Sequence, residues 1–303
     1  MPAPHRIVSL LSAATDIVVA LGRAAELVAI GHECDEPSPG RHLPRVTRSR
    51  VDSSADSGAI DRQVKALLAS GESLYELDAA TIRALRPTVI LTQAQCPVCA
   101  VSESDVRALV ATVPSLAAAR IVTLLPHALA DVERDVARTA DALGAQDSAN
   151  AFLHDWHARI DAVRRRVGDR PKRRVALIEW TDPIMLAGNW LPELLEIAGG
   201  GCPFTWAGEH SPYVAWETIR DWKPEVVIVA PCGFDLERAK SSLNELRHLS
   251  GFADLGAAFY CADGDKYFNR SGPRLLETLE ALEAMLWPRV SHDGTNMFEA
   301  VRL

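Results

Sequence analysis

The sequence lacks any run of about 20 apolar residues, the length a helix needs to cross a membrane. The nearest approach is IVSLLSAATDIVVALG, Ile7 to Gly22, which is short for a span and interrupted by Asp16. It also makes a poor signal peptide, because MPAPHR ahead of it has a single Arg and no small-residue cleavage site follows. The segment therefore reads as part of the fold. A cytoplasmic location is expected, with the periplasm as the alternative if a leader has been removed. Positive charge is in deficit too: 32 Lys and Arg stand against 40 Asp and Glu, a net charge of −8. Such a chain has no electrostatic footprint for nucleic acid. Neither G-x-x-x-x-G-K-[ST] nor G-x-G-x-x-G occurs, and the glycines of GNWLPELLEIAGGG do not replace them, so no nucleotide site follows. No Ser/His/Asp constellation can be assembled from spacing. Cysteine is scarce, with six in 303 residues. That excludes a disulfide scaffold, and in a reducing compartment these residues are thiols or metal ligands.

What is present is apolar content. At 48% hydrophobic residues over 303 positions, the chain can bury a large core, and its length suggests two domains. Short apolar runs alternate with helical patterns. RIVSLL (Arg6–Leu11), ELVAIG (Glu26–Gly31), TVILTQ (Thr88–Gln93) and RIVTLL read as strands. SAATDIVVALG reads as a helix capped by Ser12 or Thr15 and closed by Gly22. AIDRQVKALLASG, DAATIRALRP with Asp78 as N-cap, and ESDVRALVATV are further helices. A Ser- and Asp-rich stretch covers Val51 to Ser57.

From His127 to Asp169 the pattern changes to helix alone, with apolar residues at helical spacing and Gly144 as a break or a kink. Strand–helix alternation then restarts with RRVALIEW, WLPELLEIAGG, AWETIRDWKP, EVVIVAP, LERAKSSLNELRHL, AAFYCADG and SGPRLLETLEALEAMLWP. The tail after Pro288 shows no pattern. DAATIRALRPTVILT and AWETIRDWKPEVVIV share helix, basic residue, Pro and β-rich strand, so the two halves share an architecture. The fold expected is α/β: two Rossmann-like lobes with parallel sheets, residues 1–126 and 170–303, joined by a backbone helix over 127–169.

This layout resembles the helical-backbone (class III) solute-binding proteins of ABC importers, and most of all the cobalamin-binding receptors. The stretches that carry the resemblance are RIVSLLSAATDIVVALG, LVAIGHECDEP, TIRALRPTVILT, DPIMLAGNWLPELLEIAGG, WETIRDWKPEVVIV and DGDKYFNRSGPRL. The resemblance implies ligand binding in an interlobe cleft, limited closure, and a permease partner. Members of the family are exported and dock through one Glu on each lobe. Counting back from each Pro, Glu217 occupies the second position, and Ala80 stands at the first. Arg270 in YFNRSGPR matches a cleft-lining arginine, and Glu179, Trp180, Tyr213 and Tyr267 complete the expected ligand set. The first half offers Arg48 where an aromatic would be expected.

Ligands of open parallel sheets bind beyond the carboxyl ends of strands. His32 and Cys34 follow LVAIG, Cys96 and Cys99 follow TVILT, and Cys232 follows EVVIVAP. Thiolates and imidazole in that position suit zinc or an Fe–S cluster. Cys34, Cys96 and Cys99 would give three thiolates, with His32 or Cys232 as a fourth ligand. Two readings compete: C-P-V-C before a helix is also a redox arrangement, and free Cys is often a small buried hydrophobe. The latter is preferred for Cys202 and Cys261. Among the Trp residues, Trp156 and Trp287 read as packing, while Trp180, Trp190, Trp206 and Trp216 gather in the second half, where one or two can grip a flat macrocycle. The sequence thus points to a binding protein, without turnover, for a corrinoid or another metal-containing small molecule. Two alternatives stay open: a cytoplasmic Cys-ligated zinc or Fe–S protein, an enzyme included, on the same scaffold, and an intracellular corrinoid storage or delivery protein.

Overall fold

The computed structural model describes residues 4–35, 37, 42–95, 101–288 and 297–301. Its contacts divide the chain into two compact units. Unit 1 comprises residues 1–53, 62–126 and 130–155, and unit 2 comprises 54–61, 127–129 and 156–303.

Unit 1 is built on a parallel sheet of order β2-β1-β5-β6, formed by Leu27–Ile30, Ile7–Ser9, Val89–Gln93 and Arg120–Leu124. Both faces of this sheet are buried, which is why its strands read as continuous apolar runs. Alternate residues point to opposite faces. Ile7, Val89 and Leu91 join a cluster with Ile17 and Val18 of α1 (Ser12–Ala20) and Val136 and Ala140 of α5 (Leu129–Leu143). Val8 and Ile90 join another with Ile82 of α3 (Ala79–Leu85) and Val106 of α4 (Glu103–Thr112). A small antiparallel pair, β3 (Thr47–Ser49) and β4 (Tyr75–Leu77), lies off this sheet. Between them runs α2 (Ser57–Ser70).

Unit 2 carries the order β12-β11-β10-β7-β8, formed by Phe298–Val301, Ala258–Ala262, Val226–Val229, Arg173–Thr181 and Ile184–Leu186. Its three central strands are parallel, and the outer two, β12 and β8, are antiparallel to their neighbours. A two-residue strand, β9 (Gly200–Gly201), also pairs with β7. Val227, Val229, Phe259 and Cys261 pack with Ile219 of α8 (Trp216–Trp222) and Leu243 and Leu246 of α9 (Leu236–Arg247). α7 (Leu191–Ile197) and α10 (Leu275–Leu286) complete the unit.

The α/β class, the parallel sheets and the internal repeat are as the sequence predicts. The long helical region is two helices, α5 and α6 (Gln146–Val167), because Gly144 adopts a left-handed φ of 60° that ends the first. The contact division falls within α6, between Asp155 and Trp156. Asp78 caps α3 as expected, accepting from Thr81 N–H at 3.0 Å. Neither Ser12 nor Thr15 caps α1: Leu11 holds the N-cap position. The Ser12 hydroxyl donates instead to the Glu33 carbonyl, and that of Thr15 to Ser9.

Candidate functional site

The loop after β2 is held by Arg45, which donates to the carbonyls of Gly31, His32 and Cys34 at 3.0, 3.0 and 2.7 Å. With its carbonyl taken by Arg45, Cys34 turns its thiol into the unit 1 core, where it is 3% exposed and its Sγ lies 3.3 Å from Thr15 Oγ1. His32 goes elsewhere. Its Nδ1 lies 2.7 Å from Thr47 Oγ1, and its ring stands 5.6 Å from that of Tyr75. Burial first, and the Arg45 cation second, push its pKa below the ordinary histidine value, so the ring is neutral at pH 7. Arg48 pairs with Glu76 on the exposed β3–β4 surface. Cys96 and Cys99 lie outside the described residues. Among the described residues no three or more of His, Cys, Asp and Glu stand together as a metal-holding group.

In unit 2 the carboxyl ends of β7 and β10 meet a set of polar and aromatic groups. Cys232 N–H donates to the Glu179 carbonyl at 3.1 Å, tying the end of β10 to β7. The Glu179 carboxylate accepts from the Ser211 hydroxyl at 2.8 Å, and that hydroxyl accepts from Gly188 N–H at 3.0 Å. Ser211 therefore fixes the acid at the strand end to the segment before α8. That segment also pairs with β8: Leu186 N–H reaches the Pro212 carbonyl, and Val214 N–H that of Ile184. It exposes two large aromatic rings, Trp206 at 63% and Tyr213 at 59%.

Trp180 is half-buried, with Nε1 donating to the Asp182 carbonyl and its ring 5.4 Å from that of Phe234. Phe234, just past β10, carries the Arg238 guanidinium over its ring at 3.6 Å, a cation–π contact. A one-turn π-helix, Gly264–Phe268, follows β11. It lies so close to the end of β10 that a Cβ at Gly264 would sit 2.1 Å from the Pro231 carbonyl oxygen, so only glycine fits. Asn269 Nδ2 bolts the same turn to the Ala230 carbonyl at 3.1 Å. Arg270, 4% exposed, donates to the Asp265 carbonyl at 2.9 Å and its carboxylate at 3.3 Å. Tyr267 sits half-buried on that turn.

Glu179, Trp180, Cys232, Tyr267 and Arg270 thus belong to elements that converge at the carboxyl ends of the central unit 2 strands, with Tyr213 on the segment Ser211 ties to Glu179. Sequence reasoning missed Ser211, Phe234 and Arg238, although the last two follow a predicted strand and the carboxyl-end rule covers them. Trp190 and Trp216 are buried packing residues whose N–H groups are satisfied by the carbonyls of Phe268 and Ser250. Trp156 and Trp287 also serve packing, the first fully buried and the second donating to the Ala198 carbonyl. Cys202 and Cys261 pack with the unit 2 core, and burial pushes the Cys261 thiol up to about 12. Glu217 is exposed in the first turn of α8, and Ala80 is exposed on α3.

A family profile described as "Periplasmic binding protein" matches residues 7–258. The chain belongs to the periplasmic binding protein family. No curated protein sequence matches it. A solved periplasmic heme binding protein from Pseudomonas aeruginosa is similar in fold, with a TM-score of 0.74, 22% identity, and 99% of each chain covered. The periplasmic vitamin B12 binding protein of Vibrio cholerae aligns with a TM-score of 0.61 at 19% identity, over 94% of this chain and 98% of that one. An ABC transporter substrate-binding protein from Listeria monocytogenes gives 0.67 at 17% identity, over 95% and 100%. At these identities the similarity is one of fold. Among the described residues of this periplasmic binding protein, no helix is long and apolar enough to cross a membrane.

Proposed function

We propose that this periplasmic binding protein captures a flat, metal-containing macrocycle, a corrinoid or a related tetrapyrrole, without chemical turnover. The observation that carries this reading is the exposure of Trp206 and Tyr213 on a segment that Ser211 locks to Glu179. Large aromatic rings presented to solvent on a pinned segment offer stacking faces to a planar ligand at little entropic cost. Related folds are named for heme and for vitamin B12, which supports the same ligand class. In this reading Trp180 and Tyr213 touch the macrocycle. Glu179 acts through Ser211 to hold the Tyr213 segment. Arg270, engaged with Asp265, steadies the turn that presents Tyr267. Cys232 is the described unit 2 residue offered for contact with the ligand's metal, and Glu217 is offered to an importer.

The test is titration of the purified protein with cyanocobalamin and with hemin, followed by calorimetry and absorbance. Saturation near one ligand per chain by either compound supports the proposal and selects the macrocycle. Dissociation constants weaker than about 1 mM for both would sink it. Fractionation of cells, with and without the importer genes, separates an import receptor from an internal corrinoid carrier.

A further inference from the structure

The Ser- and Asp-rich stretch has a role that the ligand reading does not absorb. Residues 54–61 come from the first half of the sequence but belong to unit 2 by their contacts. They are fastened there by a knot of oxygens. The Ser57 and Thr181 hydroxyls lie 2.6 Å apart, and both reach Glu245 Oε2, at 3.1 and 2.6 Å. Ser57 and Thr181 are buried. A further bond comes from Arg238, whose Nη2 donates to the Ala55 carbonyl at 3.0 Å. Asp56 then caps the start of α2 by accepting from Ala59 N–H at 2.7 Å. The Glu245 carboxylate thereby meets the positive end of the α2 dipole.

The fastening is polar throughout. The segment from Ser54 to Ala59 reads Ser-Ala-Asp-Ser-Gly-Ala, with no side chain larger than Asp. Ile60 is the one large apolar side chain of the strap and is only half-buried, so hydrogen bonds to charged groups carry most of the hold. Segments held in this way open at the low end of a protein's range of local free energies. What they hold down is chemically different: Thr181 closes β7 beside Trp180, and Arg238 roofs the ring of Phe234 that packs on Trp180.

We propose that residues 54–61 are a releasable strap over the Thr181–Phe234 end of unit 2, an internal competitor that holds Arg238 and must let go before a ligand with an anionic group can take that guanidinium. In the fastened state the Ala55 carbonyl occupies the cation. In the released state Arg238 keeps its place on Phe234 and turns its outer N–H groups to the ligand's anion. Release also exposes the Ser57 hydroxyl to water, which replaces its bond to Glu245, while Thr181 keeps the acid partnered. The apparent affinity for ligand is then the intrinsic affinity scaled by the fraction of molecules with the strap open. The competition rests on the proposed function; the release does not.

Ser57→Ala cuts the strap's side-chain bond and leaves the Thr181–Glu245 bond intact, so the unit stays folded. Hydrogen–deuterium exchange of peptides covering residues 54–61 is expected to rise about fivefold in Ser57→Ala, the effect of one lost hydrogen bond. Amides of β7 and β10 should keep their protection. Equal exchange in wild type and variant overturns the strap. The two proteins are then titrated with hemin, whose propionates supply the anion, and with cobinamide, which carries no carboxylate. Hemin binding tightened by a similar factor in the variant, with cobinamide unchanged, supports the competition. Faster exchange with unaltered hemin affinity overturns the competition. If wild type binds neither probe, the ligand reading falls, and the exchange result alone decides whether the strap releases.

Discussion

Arg86 and Lys223 hold the same left-handed backbone conformation, at φ 46° and 56°, each closing a seven-residue helix one residue before a proline. The TIR-containing repeat in the sequence is thus a repeat of capping geometry as well. A side chain with a Cβ in this region carries strain that glycine does not. Arg86→Gly and Lys223→Gly should each leave the fold intact and raise stability by up to about 1 kcal/mol, while Lys223→Val should lower it by at least as much. Urea midpoints of the three variants provide the check.

Asp135 of α5 is 1% exposed and accepts from Leu125 N–H at 2.9 Å and from Arg138 at 2.6 Å. Burial outweighs both partners and raises its pKa to about 6. Between roughly pH 4 and pH 6 the folded protein therefore holds a proton that the unfolded chain releases, so this group adds stability as the pH falls. Relative to Asp135→Asn, wild type should gain about 2 kcal/mol between pH 7 and pH 4.5. A constant stability difference across that interval would contradict the shift.

Ser211 serves two partners at once, Glu179 and the Gly188 N–H. Ser211→Ala should cost about 1–3 kcal/mol, because it removes the acceptor of the buried Gly188 N–H and a donor to the Glu179 carboxylate. Thermal unfolding measures that loss. Ligand titration should show weaker binding at a temperature where the variant is still folded.

Trp206→Ala and Tyr213→Ala should change stability by less than about 0.5 kcal/mol, since the rings are exposed. Each should weaken macrocycle binding by roughly tenfold, as expected for one lost stacking face. Equal affinity in all three proteins would remove this segment from the site.

Cys261 is fully buried and its thiol is held near 12, so it stays protonated at neutral pH. Iodoacetamide at pH 8 should leave Cys261 unmodified in the folded protein and alkylate it only in denaturant. Mass mapping of the labelled peptides reads this directly.

The strands of both sheets are legible because both faces are covered, so every residue of IVS, VILT and VVIV is buried and all but Ser9 and Thr92 are apolar. β12 is not: FEAV is half-exposed, belongs to an edge, and gains meaning only through its pairing with β11. The pair β3–β4 and the short β8 escape for the same reason. At the site, the carboxyl-end rule finds Glu179, Trp180 and Cys232. Spacing alone does not reveal that Cys34 turns inward while His32, two residues earlier, faces Thr47, because the Arg45 side chain decides it. Ser57, Thr181 and Glu245 meet across separations of 124 and 188 residues, and no local pattern marks such a meeting.

That separation has a consequence for how the protein is made. During synthesis Ser57 leaves the ribosome 124 residues ahead of Thr181 and 188 ahead of Glu245. The strap therefore fastens last, onto a unit whose own strands come later in the chain, and a contact of such high sequence separation is slow to close. A fragment starting at Trp156 would lack that piece altogether, so the second half of the gene encodes unit 2 without its strap.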